Sequence, residues 1–355
     1  MPMKKKILAI VLVLLLCGSI IPVSAIGGSS DDPLISLSYL RNTLKPQLTA
    51  AARAALHPPS SSGIHSDRQV LMDHVRYKQN DTLTASTGSE VIVFAGTVQF
   101  SSEGIVIDAT DGTELASGAI LKPNNRYITG EETKAVYTIT SPTAVVSCNG
   151  KISVAKSDTP DYNAMADALK SLTLLKGSGS GIGNGYNLEN QPNRIEGIIM
   201  FIRLLGEEDE ALATTAAHPF KDVPAWADSY VAYAYQKGYS NGVGKGKFGA
   251  EKKITAKEYV EFIMRALHYS SIEHTDLSTT LNDAKKAGVI SAKEYDLLNN
   301  TTLLRAHAVY LSYYALSVPI SGQNITLADK LMANSVFTKA ALDNAHALVT
   351  TNRLV

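Results

Sequence analysis

Cysteine is nearly absent. Two occur in 355 residues, Cys17 and Cys148, too few for a disulfide framework or a four-thiolate zinc site. Neither sign of charge is in excess, with 33 basic and 33 acidic groups, so the chain lacks the global basic field of a nucleic-acid or acidic-membrane binder. Beyond the N-terminal apolar run no stretch approaches the roughly 18 apolar residues of a membrane span. The eight histidines are scattered without H-E-x-x-H, no G-x-S-x-G occurs, and no carboxylate pair stands out for glycosidase work. Two glycine-rich stretches, 177–185 and 242–246 with Lys245 and Lys247, miss both nucleotide-binding spacings. The expectation is therefore a protein that is not an enzyme and uses no metal or cofactor. What is present, 45% hydrophobic and 19% charged residues, is ordinary globular composition, and the length suggests two or three compact units.

Lys4, Lys5 and Lys6 precede an apolar run from Ile7 to Cys17, and after Pro22 the chain reads Val23-Ser24-Ala25, with small residues at the cleavage positions. This pattern predicts a secretory signal peptide over residues 1–25. Cys17 is the alternative, as a lipidated residue, but it follows Leu16 where a small residue is normally needed. Cleavage after Ala25 removes three lysines and no acid, leaving 30 basic and 33 acidic groups, a formal charge of −3. Cys148 would then be a lone cysteine in an alternating strand pattern, read as a packing residue.

Residues 26–84 read as a helical segment followed by a connector. Leu34, Leu37, Leu40, Leu44 and Leu48 recur at helical spacing, Pro46 interrupts them, and a breaker-rich stretch follows from His57 to Gly63. Over 85–156 the pattern becomes short β-type runs at 90–95, 97–101, 104–109, 113–121, 126–129, 135–140 and 143–154, with a hairpin signal at Asp111-Gly112. This predicts a small antiparallel sandwich or barrel. Asp108, Asp111 and Glu114 match no calcium loop, and turn chemistry accounts for the first two.

From 157 to 318 the pattern is helical and repeats. Arg194-Ile195-Glu196, Ala256-Lys257-Glu258 and Arg305-Ala306-His307 open segments whose apolar residues follow at identical offsets. Each is preceded by another helix, ending near Thr173, Gly238 and Gly288, so three helix-loop-helix units are expected at about 161–212, 217–270 and 277–318. A helical tail occupies 319–355. The fold class is α+β, multidomain.

The middle unit carries Phe220-Lys221-Asp222-Val223-Pro224-Ala225-Trp226-Ala227, then Gly238-Tyr239-Ser240-Asn241-Gly242, then Phe248 and Ile254-Thr255-Ala256-Lys257-Glu258. It resembles the S-layer homology (SLH) motif, with its F-x-D-V-P…W-A opening, Gly-x-x-x-Gly bend and T-R-A-E segment. The first unit resembles the family through Asn193-Arg194-Ile195-Glu196, and the third is degenerate. The resemblance covers under half the chain. It implies a pseudo-threefold bundle whose grooves hold a negatively charged secondary cell-wall polysaccharide, often pyruvylated, on Gram-positive-type bacteria.

Asn193 with Glu196, and Thr255 with Glu258, have a complete explanation as helix capping boxes. Asp222 is expected to cap, Gly238 to end a helix, and Trp226 to pack between motifs while remaining a ligand candidate. Capping does not require arginine, whereas a guanidinium suits a carboxylate or phosphate. Arg194 and Arg305 are therefore the expected polymer ligands, with Lys257 standing in where Ala256 replaces the arginine. Solvated surface arginines are the alternative. The resemblance implies a secreted cell-surface protein anchored noncovalently to the wall and displaying a β domain. Two alternatives are a surface assembly scaffold that binds other proteins and a wall hydrolase.

Overall fold

Alternation of apolar and polar residues is what makes the first half β: in Thr82-Leu83-Thr84-Ala85-Ser86 every second side chain is buried. The computed structural model describes residues 73–101, 103–177 and 182–355. The expected leader and the 32–56 helix lie outside the described residues. The strands are β1 (Val75–Lys78), β2 (Thr82–Ser86), β3 (Glu90–Ala95), β4 (Val98–Phe100), β5 (Val106–Asp108), β6 (Thr113–Glu114), β7 (Arg126–Thr129), β8 (Lys134–Ile139), β9 (Thr143–Asn149) and β10 (Ile152–Ala155). They form a six-stranded sheet, β1-β9-β3-β7-β5-β6, and a four-stranded sheet, β10-β2-β8-β4, with every pairing antiparallel. Their inner faces enclose Leu83, Val91, Phe100, Tyr127, Tyr137 and Val146. Cys148, on β9, packs against this core, and burial pushes its thiol up to about 12.

The strand boundaries differ from the sequence expectation at three places. β1 and the start of β2 fall within the stretch read as connector, because β1 is short and gains its place by pairing with β9, distant in sequence. The 113–121 run yields only a two-residue strand. The 143–154 run is broken by a turn at Asn149-Gly150-Lys151 into strands of different sheets. Gly96 makes the close β3–β4 connection possible: at φ +81°, a Cβ there would stand 2.3 Å from the Thr143 carbonyl oxygen.

The second half contains α1 (Tyr162–Ser171), α2 (Arg194–Leu204), α3 (Glu208–Ala213), α4 (Asp228–Gln236), α5 (Ala256–Ala266), α6 (Thr280–Lys286), α7 (Ala292–Asn300), α8 (Arg305–Ala315), α9 (Leu327–Ala333) and α10 (Lys339–Leu348). The molecule is α+β. Helices α2, α5 and α8, which begin at the three repeated segments, are buried on nearly all sides and form the centre of the helical half. Phe201 meets Phe262 with ring centroids 5.5 Å apart, joining α2 to α5. The Tyr259 and Ser312 hydroxyls, 2.7 Å apart, join α5 to α8. Helix α7 occupies what reads in sequence as a loop of the third repeat. Its signal is a capping box: Ser291 Oγ accepts from the Glu294 amide at 3.0 Å and Glu294 Oε2 accepts from the Ser291 amide at 2.7 Å.

The β module lies in one compact unit with the helices. Arg76 on β1 grips Asp167 on α1 through two bonds, at 2.6 and 3.3 Å. The fully buried Asp81 gathers the Lys78 and Lys156 ammonium groups at 2.9 and 3.1 Å and the Ser157 amide at 2.9 Å. Burial pushes the Asp81 carboxyl up, but these donors outweigh it and hold the group below its ordinary value. A buried carboxylate so satisfied pins the linker between the two halves.

Candidate functional site

Helices α2, α5 and α8 start where neighbouring repeats meet, and extended backbone joins the meeting points. The Arg194 amide donates to the Lys252 carbonyl at 2.8 Å and the Ile254 amide to that of Pro192 at 3.1 Å, tying the first unit to the second. Arg305 and Ala306 donate to Asn190 and Leu188, tying the third to the first. Each seam thus brings one unit's T-R-A-E arginine position close to the next unit's capping box.

Both arginines are buried at these seams. Arg194, only 5% exposed, places Nη1 3.0 Å from Glu258 Oε1 and donates from Nη2 to Ser240 Oγ at 3.0 Å, with Phe248 and Phe262 stacked on its guanidinium. Burial lowers its pKa and Glu258 opposes that shift. Burial likewise pushes Glu258 up, but the Thr255 amide, Arg194 and Lys252 outweigh it and hold the carboxyl below its ordinary range. Arg305, also buried, donates from Nε to the Tyr186 carbonyl at 2.9 Å, and Glu196 is the acid that offsets its desolvation. Neither arginine is a solvated surface side chain.

A cyclic rule follows. The arginine of unit one answers the glutamate of unit two, and the arginine of unit three answers the glutamate of unit one. At the remaining seam the rule assigns Ala256 to His307, so cation and anion are missing together. His307 is buried, its pKa pushed down to about 4 by desolvation, and its Nδ1 accepts the Leu304 amide at 3.1 Å as a neutral group. The joint loss avoids the cost of burying one unpaired charge.

This seam carries the open groove. A cavity of about 440 Å³ lies between the start of α5 and the α7–α8 connection. Gln191, Thr255, Lys257, Asn299, Thr301 and Thr302 supply its polar groups, and among its lining residues Lys257 is the one charge. Asp276, fully exposed, also feels the Lys257 field. At the Arg194 seam the cavity is only about 70 Å³, and its two arginines, Arg194 and Arg265, are balanced by Glu258 and Glu261. The lysine groove is therefore the larger of the two sites, and its one charged lining residue is a cation.

Asn193 and Thr255 form the capping boxes with Glu196 and Glu258. Asp222 accepts the amides of Phe248, Gly249 and Ala250 at 2.7, 2.8 and 3.3 Å, so it braces the following loop rather than the start of a helix. Gly238, at φ +73°, follows the end of α4. Trp226 is 62% exposed and does not pack between motifs, because the short 3-10 turn Ala225–Ala227 buries Ala227 and turns the indole outward.

Residues 219–259 match the S-layer homology domain. The chain contains an SLH domain. It is also 26% identical over 202 residues, 56% of this chain, to a "Cell surface protein" of Thermoanaerobacter kivui; the match spans a quarter of that relative's length. The SLH match begins just before Phe220 and ends at Tyr259, so it contains Asp222, Trp226, Ala256, Lys257 and Glu258 but neither Arg305 nor Glu196 of the seam between the third and first units.

One feature of the SLH-bearing half escapes the repeat as read from sequence. Ile290-Ser291-Ala292-Lys293-Glu294-Tyr295 duplicates Ile254-Thr255-Ala256-Lys257-Glu258-Tyr259 with a single Ser-for-Thr exchange. Its glutamate also receives a distant arginine: Arg353 binds Glu294 at 2.7 and 2.8 Å and lies over Tyr314. The duplicated hexapeptide is the signal that could have located it.

Proposed function

We propose that this protein is a nonenzymatic, secreted cell-surface protein held noncovalently to the cell wall by its SLH half, with the Lys257 groove as the principal contact for an anionic secondary wall polysaccharide. The observation that carries the reading is the 440 Å³ groove with a single cation and a wall of amides and hydroxyls. An ammonium group attracts a carboxylate or phosphate on the polymer, and Thr255, Asn299, Thr301 and Gln191 present donors and acceptors to sugar hydroxyls. Arg194 and Arg305, expected from sequence at the polymer, act instead as cross-links that hold the seams in register. One solvent-accessible lysine–anion contact contributes under about 1 kcal/mol, so firm anchoring requires repeated contacts along one polymer. A polymer bearing pyruvyl ketals supplies such repeated carboxylates.

The test is co-sedimentation of the full chain with protein-free walls, before and after removal of the secondary polymer, across a salt series. Binding should require the polymer, weaken as salt rises, and fall on Lys257→Gln. Retention on stripped walls, or indifference to Lys257→Gln, would overturn the groove assignment.

A further inference from the structure

Residues 349–355 run across the helical half as a strap fastened at three places. At the start of α1 the Asp161 amide donates to Thr351 Oγ1 at 2.9 Å. At the first turn of α7, Arg353 Nε and Nη2 bond the two Glu294 carboxylate oxygens at 2.7 and 2.8 Å, and Nη2 also donates to the Val289 carbonyl at 3.0 Å. Leu354 then joins α7 to α8. Its amide donates to the Tyr310 hydroxyl at 2.9 Å and its carbonyl accepts from Ser291 Oγ at 2.5 Å.

Helix α7 has little apolar grip on the rest of the fold. Of its nine residues only Glu294 and Leu298 are buried, so its placement depends heavily on the polar contacts of Glu294. That side chain is almost wholly enclosed, and a carboxylate so deep is tolerated only while its oxygens are bonded and its charge is answered. Tyr310 on α8 donates to it at 2.8 Å, and Arg353 is its salt-bridge partner. Without the guanidinium the anion keeps only hydroxyl and amide donors. The first turn of α7 is then free to shift towards water.

The other end of the same helix builds the groove. Leu298 and Asn299 line it, followed by Thr301, Thr302 and Leu303. Thr301 Oγ1 donates to the Leu297 carbonyl at 2.8 Å, so the α7–α8 connection is tied to the helix and moves with it. From Glu294 to Asn299 the helix spans only about 8 Å. We propose that Arg353 is a positioning residue for the Lys257 groove: the 349–355 strap fixes the first turn of α7, and α7 fixes the groove wall that faces the start of α5. The inference rests on the wall-anchoring reading for what the groove holds, and the strap itself touches no ligand.

Hydrogen exchange of the full chain, read by mass spectrometry, compares wild type with Arg353→Gln and Arg353→Lys. Amides of 292–303 should exchange at least about tenfold faster in Arg353→Gln, while the central helix α2 keeps its wild-type protection. Arg353→Lys, which retains the charge without the planar fork, should lie between the two and carries the comparison if the glutamine variant does not fold. Co-sedimentation with protein-free walls should fall in the same order. Unchanged exchange over 292–303 would overturn the strap. An equal rise in α2 would overturn it too, since Arg353 would then stabilise the whole fold rather than place one helix. A local rise with wall binding intact, where Lys257→Gln still lowers that binding, would sever the strap from the groove and leave the groove reading standing. Absence of wall binding by the wild-type chain would overturn the anchoring, and the exchange comparison would decide the strap by itself.

Discussion

Acidification should strain the seam that contains His307 before it strains the carboxylates. In the unfolded chain this histidine titrates near 6.5, whereas burial pushes it down to about 4 in the folded protein. The folded state therefore favours the neutral ring. Its contribution to stability is complete above pH 6.5 and is lost as pH falls from there towards 4. Between pH 7 and pH 4.5 the linkage amounts to about 2.5 kcal/mol, a sizeable part of the 5–15 kcal/mol typical of a folded domain. Glu258 and Asp81 have lowered folded values and Glu208 is lowered to about 2, so their contributions are lost only below the ordinary carboxylate range. Glu207, raised by burial, acts in the opposite sense across the upper window. A difference between two proteins is therefore the appropriate measurement. Urea unfolding of the wild-type chain and His307→Gln should be followed at pH 7.0, 6.0, 5.0 and 4.5. Glutamine can still accept the Leu304 amide but carries no charge in this range. The variant should be less stable at pH 7, and the gap should narrow or reverse by about 2.5 kcal/mol at pH 4.5. Parallel pH profiles would refute the claim that a buried neutral imidazole occupies this seam.

Glu258→Ala should cost about 3–5 kcal/mol, since Arg194 remains buried without its ion pair and α5 loses its capping box; a urea midpoint close to wild type would contradict the seam as described. In the β module, Gly96→Ala and Gly112→Ala both place alanine at positive φ, but a Cβ at Gly96 strikes the Thr143 carbonyl while Gly112 has nothing within 4 Å. Gly112→Ala should cost about 1 kcal/mol from the backbone alone and Gly96→Ala clearly more, with thermal midpoints ordered accordingly.

Much of this architecture is legible in short stretches of sequence. Period-two alternation marks the strands from β3 onward. The caps at Asn193 and Thr255 are visible because a capping box closes between residues three apart. The same logic makes Ser291 and Glu294 readable, but the repeat register of the third unit falls on Leu304-Arg305-Ala306-His307 and leaves α7 in what reads as a loop. Trp226 shows the converse case. A family pattern suggests packing between motifs, but the exposure of a side chain depends on which neighbours the whole fold brings to it.

That an antiparallel β segment precedes a repeated helical half, and that the middle repeat resembles an SLH motif, can be read along the chain. Those features arise from interactions between residues a few positions apart, which local periodicity encodes. The surroundings of the charges emerge only in the folded chain. Arg194 and Arg305 carry the same residue type as a polymer ligand and differ from one only in being buried beside other repeats. Arg353 reaches Glu294 from 59 positions away, a pairing that no local pattern records. Lys257 becomes the principal candidate because the fold leaves it on the rim of a groove while enclosing the arginines. Desolvation and distant partners separate a cross-link from a binding group, and both exist only once the chain has folded.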